Sequence, residues 1–300
     1  MRPAPIALSG QARADARPKP PPRPSYEALR VFARNPSALA GVLLLAAILA
    51  VTIFGPMVMQ ADPFEIAAAP MEPPGGELLL GSDYLGRDVL IGMIYGGRAT
   101  LLVGVVAAVL SMAIGITVGA LAGYYGGWVD ETLMRITEFF QVLPTLLFAM
   151  VLVTLFSPSL ATIAVAIGVV SWTGTARLAR GEFLRLKRRE YVLAERVIGA
   201  GDARIIWRVI LPNALAPLIV SATLAIGTAI LFEAGLSFLG LGDPNVMSWG
   251  LMIGSNRPYI LTAWWAVTLP GAAIFLTVLA VSLIGDGLND ALNPTSRGRA

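Results

Sequence analysis

The chain has 300 residues, of which 56% are hydrophobic and only 14% charged, and its mean hydropathy is +0.73. Soluble domains carry about a quarter charged residues, so the composition describes an all-α polytopic membrane protein. Cys and His are both missing, which excludes thiolate nucleophiles, disulfides, thiol or imidazole metal sites and His-based acid–base catalysis.

The net charge of +3 is small and unevenly spread, so it speaks to topology rather than to nucleic-acid binding. The two lysines, Lys19 and Lys187, lie outside any G-x-x-x-x-G-K-[ST] loop. No Walker-type phosphate cradle is present, and no cofactor and no catalytic residue is expected in this chain.

In chain order, residues 1–24 are rich in Pro and Arg, ending in Arg17-Pro-Lys-Pro-Pro-Pro-Arg-Pro24. Such a segment reads as a solvated, polyproline-like tail and not as a secretory signal. Ser25 to Asn35 reads as a short amphipathic helix with Leu29, Phe32 and Ala33 on one side, stopped by Asn35-Pro36 and lying along the membrane surface. Residues 1–37 thus form a tail and an interfacial helix.

Six segments have the roughly 20-residue length that spans a hydrocarbon core: 39–59, 100–122, 138–156, 160–177, 213–233 and 264–284. They divide the chain into a first span with its extracytoplasmic loop (38–98), a transmembrane domain (99–286) and a tail (287–300). Pro144 and Pro217 fall inside spans as candidate kinks. The second span carries Ala107, Ser111, Gly115, Gly119 and Gly123, a small residue at every fourth position. That stripe suits close helix packing better than a pore face.

Lys and Arg set the orientation. Seven lie in the N-terminal 37 residues and nine in the stretch that begins at Arg177; the 60–99 loop holds two, against six acids, and the 234–263 loop holds only Arg257. Both basic regions are expected in the cytoplasm, with both termini inside. Glu138, Glu233 and Asp286 fall at span ends, so no mid-span carboxylate points to a proton- or sodium-coupled carrier.

The stretch Glu190–Asn213, EYVLAERVIGAGDARIIWRVILPN, is a charged island between the fourth and fifth spans. It reads as a helix to Ile198, a break at Gly199-Ala200-Gly201, and a second helix capped by Asp202 and ended by Leu211-Pro212. Ile205, Ile206, Val209 and Ile210 recur at helical spacing, while Arg204 and Arg208 share another face. An apolar stripe beside a cationic face suits docking into a partner's groove. Positive-inside placement alone accounts for Arg185, Lys187, Arg188 and Arg189, but not for the ordered helix, break and helix.

The island resembles the EAA loop of ABC importer permeases, E-A-A-x3-G-x9-I-x-L-P. Ala194, Gly199, Leu211 and Pro212 match; Leu193, Glu195 and Val209 depart. Leu80-Gly-Ser-Asp-Tyr-Leu-Gly-Arg-Asp-Val89 resembles a signature of the peptide and nickel permease branch. So do Tyr95-Gly-Gly-Arg98, Ala122-Gly-Tyr-Tyr-Gly-Gly-Trp128, Glu233-Ala-Gly-Leu-Ser-Phe-Leu-Gly-Leu-Gly242, Ser248-Trp-Gly250 and Gly285-Asp-Gly-Leu-Asn-Asp-Ala291. The order of blocks is similar to the "C" permeases of dipeptide and oligopeptide importers.

The resemblance implies the type I importer permease fold in the bacterial cytoplasmic (inner) membrane. It implies a second homologous permease, two cytoplasmic ATPases that bind the ATP, and an extracytoplasmic substrate-binding protein. Its coupling loop would comprise Ala194, Glu195, Gly199, Ala200, Asp202, Leu211 and Pro212. Gly81, Asp83, Gly86, Arg87 and Asp88 carry the signature without an assigned role. Asp83 is placed to cap a short helix, Arg87 and Asp88 to pair with each other, and this loop with 242–250 either edges the translocation mouth or forms structural turns. The same machine importing nickel or another small solute, an ion-coupled carrier, and a non-transport scaffold are the competing readings.

Overall fold

The structure, a computed structural model, describes residues 24–292. The expectations for the Pro-rich tail and for the last eight residues lie outside the described residues. Among the described residues every named element is helical, with only two isolated backbone bridges, Ile66 to Arg87 and Ser82 to Asp88.

Helix α1 (Pro24–Arg34) ends at Asn35, whose side-chain carbonyl accepts from the Ser37 and Ala38 amides and so caps α2 (Pro36–Val58). A proline in the first turn suits this start, because its missing N–H would be unsatisfied there anyway. Asp88 likewise caps α3 (Val89–Tyr125), accepting from Leu90 N at 2.7 Å. At 37 residues α3 is about 55 Å long, well beyond the ~30 Å hydrocarbon core. It therefore contains the expected 100–122 span and extends past it.

The third and fourth expected spans are each broken. Helices α4 (Gly127–Val142) and α5 (Thr145–Phe156) meet at 86°, so 138–156 is not one helix. Pro144 is the cause: it pushes Leu143 to φ −71°, ψ 130°, outside the α region. Helices α6 (Leu160–Val170) and α7 (Thr173–Leu186) bend by 44° at Ser171-Trp172. Among the described residues four helices are long and apolar enough to cross a membrane, and six crossings result if each bent pair counts as one.

The island contributes α8 (Glu190–Val197) and α9 (Asp202–Arg204). From α9 the chain passes through a π-helical turn, Ile205–Ile210, directly into α10 (Leu211–Leu236) and a second π-helical turn, Ser237–Leu241. Helix α11 (Trp249–Asn256) and a 3-10 turn (Arg257–Tyr259) lead to α12 (Trp265–Leu292), which continues past the expected end at 284.

Helix α3 lies at the centre, touching α6, α7 and α10. The small-residue stripe is its seam with α7: a Cβ on Gly119 would sit 2.2 Å from the Ala176 carbonyl oxygen, and one on Gly123 would sit 2.7 Å from Phe183 Cβ. In lipid, such backbone approach supplies the packing that hydrophobicity cannot. Gly285 and Gly287 do the same where α12 passes Thr223 of α10 and Ala38 of α2.

Candidate coupling site

The island folds against the C-terminal end of α3. Helix α8 ends in a Schellman motif: Gly199 N donates to the Arg196 carbonyl at 3.0 Å and Ala200 N to the Glu195 carbonyl at 3.0 Å. That closure needs a left-handed residue, and Gly199 supplies it at φ +82°. The expected break is present, at the expected residue.

Beyond the break the chain departs from expectation. Asp202 does not cap the second helix; Gly201 occupies the cap position without a side-chain bond. Instead the Asp202 carboxylate accepts from the Tyr124 hydroxyl at 2.6 Å, tying the island to α3. Nor does Leu211-Pro212 end that helix. Pro212 falls in the first turn of α10, just after a π-helical turn in which Leu211 N reaches the Ile206 carbonyl, and Asn213 Nδ2 donates to the Val209 carbonyl at 2.7 Å. The wider π-turn and this side-chain bond accommodate the missing proline N–H.

The apolar stripe is also turned inward. Ile205, Ile206 and Ile210 are fully buried and pack with Val192, Phe183, Leu186 and Ala120 of the same chain, with Ala200, Val209 and Leu211 at the edge. Amphipathic spacing shows that a face needs a partner, and here α3 and α7 are that partner. The most exposed apolar surface of the island is the tip of α8, where Val197 is 87% and Ile198 74% exposed, just before Gly199; Leu193, Tyr191 and Trp207 are exposed to a lesser degree.

Three contacts brace this tip. Glu195, one of the three departures from the family pattern, reaches across the break to Arg204 at 3.6 Å. Arg196 stacks over the Tyr124 ring at 5.2 Å. Lys187 donates to the Gly123 carbonyl at 2.7 Å, closing the C-terminal end of α3. Burial pushes the Lys187 ammonium below the usual lysine range, and nearby Arg188 adds to the shift while Asp130 opposes it. Behind it, Asp130 of α4 takes both Nε and Nη2 of Arg180 of α7, at 2.5 and 2.7 Å, the bidentate geometry that guanidinium favours.

Tyr124 and the Val197–Ile198 tip were not singled out by residue pattern, whereas Arg204 was placed on the cationic face with Arg208. Tyr124 lies in the Ala122–Trp128 block, and the tip is marked only by preceding the glycine break. Ala194 is exposed on α8, its carbonyl accepting from Ile198 N. An open cleft of about 700 Å³ is lined by Tyr124, Tyr125, Lys187, Arg188, Leu193, Arg196 and Asp202.

The second group of signature residues sits at the opposite end of the bundle. Gly81 and Gly86 adopt φ +75° and +84°, and a Cβ on Gly86 would meet the Ala68 carbonyl oxygen at 2.2 Å. Asp83 does not cap a helix but closes a turn, accepting from Leu85 N and Arg87 N at 2.8 and 2.9 Å. Arg87 stacks on Phe64 at 4.9 Å while Asp88 caps α3, and among the described residues no ion pair joins the two. Trp265 donates to the Ser82 carbonyl and Tyr84 N to Asn256, so the loop is tied to α11 and α12.

Glu233 is fully buried, and its Oε1 accepts from Ser237 and Ser248, each at 2.8 Å.

The profile of the family described as binding-protein-dependent transport system inner membrane component matches residues 115–298. That of the N-terminal TM domain of oligopeptide transport permease C matches residues 24–74. The chain is 42% identical over 287 residues to the di/tripeptide transport system permease protein DppC of Pseudomonas aeruginosa, covering 93% of this chain and 95% of that one. It is 43% identical over 282 residues to the dipeptide transport system permease protein DppC of Escherichia coli, covering 91% and 94%. Against the oligopeptide transport system permease protein OppC of Bacillus subtilis the figures are 36% over 273 residues, covering 90% of each chain. Among solved structures, an inward-facing MetNI methionine ABC transporter is similar at a TM-score of 0.57 and 21% identity, covering 67% of this chain and 96% of that one. At that identity the likeness is one of fold.

Proposed function

The chain belongs to the family of binding-protein-dependent transport system inner membrane components, and from that premise we propose that it is the permease subunit of an ATP-driven importer of dipeptides and oligopeptides. The substrate class is supported by relatives named for di/tripeptide, dipeptide and oligopeptide transport that align over about nine-tenths of the chain. The fold agrees with that of a type I ABC importer permease.

The observation that carries the coupling role is the exposed Val197–Ile198 tip, set beside the glycine break on a helix whose Arg196 lies over Tyr124 and whose Glu195 pairs with Arg204 across the break. An exposed apolar tip with cationic side chains nearby fits an apolar cleft with an acidic rim. We assign that cleft to a cytoplasmic ATPase subunit, two of which serve this chain and a second, homologous permease. An extracytoplasmic binding protein delivers the peptide. The chain itself is a membrane subunit without catalysis, and ATP is bound by its partners.

The charge distribution supports six crossings with both termini in the cytoplasm of a bacterial cell. In this orientation the basic N-terminal region and the island share one side, and the acidic 60–99 loop faces the other.

The test is uptake by the assembled complex in proteoliposomes. Dialanine uptake is expected to require ATP and the binding protein, and to survive a proton ionophore. Uptake that collapses with the proton gradient while ATP stays high refutes the ATP-driven reading.

A further inference from the structure

The open cleft of about 700 Å³ between the end of α3 and the island has no task in the coupling role. Three cations line it, Lys187, Arg188 and Arg196, together with Tyr124 and Tyr125. The one carboxylate in the lining, Asp202, is already engaged by the Tyr124 hydroxyl at 2.6 Å. Three arginines, Arg180, Arg188 and Arg196, act on the Lys187 ammonium against a single carboxylate, Asp130, and Asp130 is itself held by both Nε and Nη2 of Arg180. Arg188 and Arg196 are exposed, and among the described residues neither forms an ion pair. Lys187 spends its bonds on the carbonyls of Gly123 and Tyr124, at 2.7 and 3.4 Å, and an ammonium has a third donor. Like charges gathered around a part-buried ammonium oppose one another until an anion joins them.

The bonds of Lys187 also fix the level of the cleft. Gly123 and Tyr124 follow directly on the apolar segment 100–122, which by itself is long enough to cross the hydrocarbon. The cleft therefore lies where hydrocarbon gives way to headgroups. Tyr125 and Trp128, 51% and 78% exposed, are the aromatic side chains that favour this level.

We propose that the cleft binds the phosphate of an anionic phospholipid from the leaflet on the island's side, with Lys187, Arg188 and Arg196 supplying the donors. A guanidinium fork matches phosphate oxygens, and basic pockets between membrane helices suit such headgroups. The volume falls within the range of about 300–1,000 Å³ for small-molecule sites. Free phosphate has the same chemistry, but only a lipid is concentrated at this level by its acyl chains. Lys187 follows α7 and Arg196 belongs to α8, so one bound phosphate ties the island to the bundle. The inference is independent of which solute the chain helps to carry.

The test uses the complete transporter, delipidated in a neutral detergent, and follows its melting temperature as short-chain phosphatidylglycerol, phosphatidylcholine or inorganic phosphate is added. Phosphatidylglycerol is expected to raise the melting temperature to a plateau, and phosphatidylcholine, which has no net charge, to leave it unchanged. Arg188→Gln should move the phosphatidylglycerol midpoint to about tenfold higher concentration, the size of one charge-assisted hydrogen bond. Arg189→Gln removes the neighbouring arginine, which lies outside the lining, and should move the midpoint less than about twofold. Equal shifts in the two variants, or none in either, overturn the site. Equal stabilisation by phosphatidylcholine does the same. Inorganic phosphate that matches phosphatidylglycerol at equal concentration overturns the lipid as the source of the phosphate.

Discussion

Replacing Gly199 with valine places a β-branched side chain at φ +82°. A Cβ built there meets no atom within 4 Å, so crowding contributes nothing and the whole penalty is in the backbone. A left-handed conformation costs an ordinary L-residue about 1–2 kcal/mol, and strained positions reach about 3. The chain relieves that cost by giving up the two closing bonds from Gly199 N and Ala200 N, which carries Val197 and Ile198 out of register with Asp202. A shift of one or two kcal/mol changes the ratio of two states by about 5–30-fold.

The assay is ATP hydrolysed per peptide imported, measured in proteoliposomes for Gly199→Asn, Gly199→Ala and Gly199→Val. Asparagine tolerates the left-handed region best of the three, so coupling should fall in the order Gly, Asn, Ala, Val. The melting temperature should barely move, because the strained turn is exposed and local. Normal coupling in the valine variant, or an asparagine variant worse than the valine one, refutes the argument that backbone handedness sets the position of the tip.

Ile198→Asp puts a charge on the exposed tip. Surface changes of this kind alter stability by about 0.5 kcal/mol or less, yet the ATPase subunits should no longer co-purify with the complex. If they do co-purify, docking lies elsewhere. Because the sequence has no Cys, single-cysteine variants report topology without background. Leu261→Cys, at a 96% exposed position, should react with an impermeant maleimide in intact cells, and Ile198→Cys only after the membrane is opened. The reverse pattern refutes the proposed orientation.

Hydropathy and the distribution of arginines locate the apolar segments and the island from sequence alone, because both depend on sums over many residues, but not the breaks that divide the third and fourth segments. The turn at Gly199 is equally readable, since few residues besides glycine adopt that φ. The inward face of Ile205, Ile206 and Ile210 is not. Periodicity identifies an apolar stripe, but whether α7 of the same chain or a partner covers it depends on tertiary packing. Proline proved ambiguous for a local reason. At Leu143-Pro144 the preceding residue turns extended and the helix bends by 86°, whereas at Leu211-Pro212 a π-turn absorbs the proline and the helix continues. The signature at 80–89 was readable as a motif, and its structural role emerged only with Trp265 and Asn256 against it.

The passage from Asp202 through Pro212 to Leu239 runs without an intervening loop, through a π-helical turn and α10 to a second π-helical turn that kinks at Gly240 (φ +86°), so the second half of the island and the far end of the bundle are joined by helix. Near its far end Glu233 accepts from Ser237, which lies on the same helical run, and from Ser248, which does not. A tilt of this helix would leave the first bond intact and stretch the second, so the Glu233–Ser248 contact would be the one most sensitive to how the helix is seated.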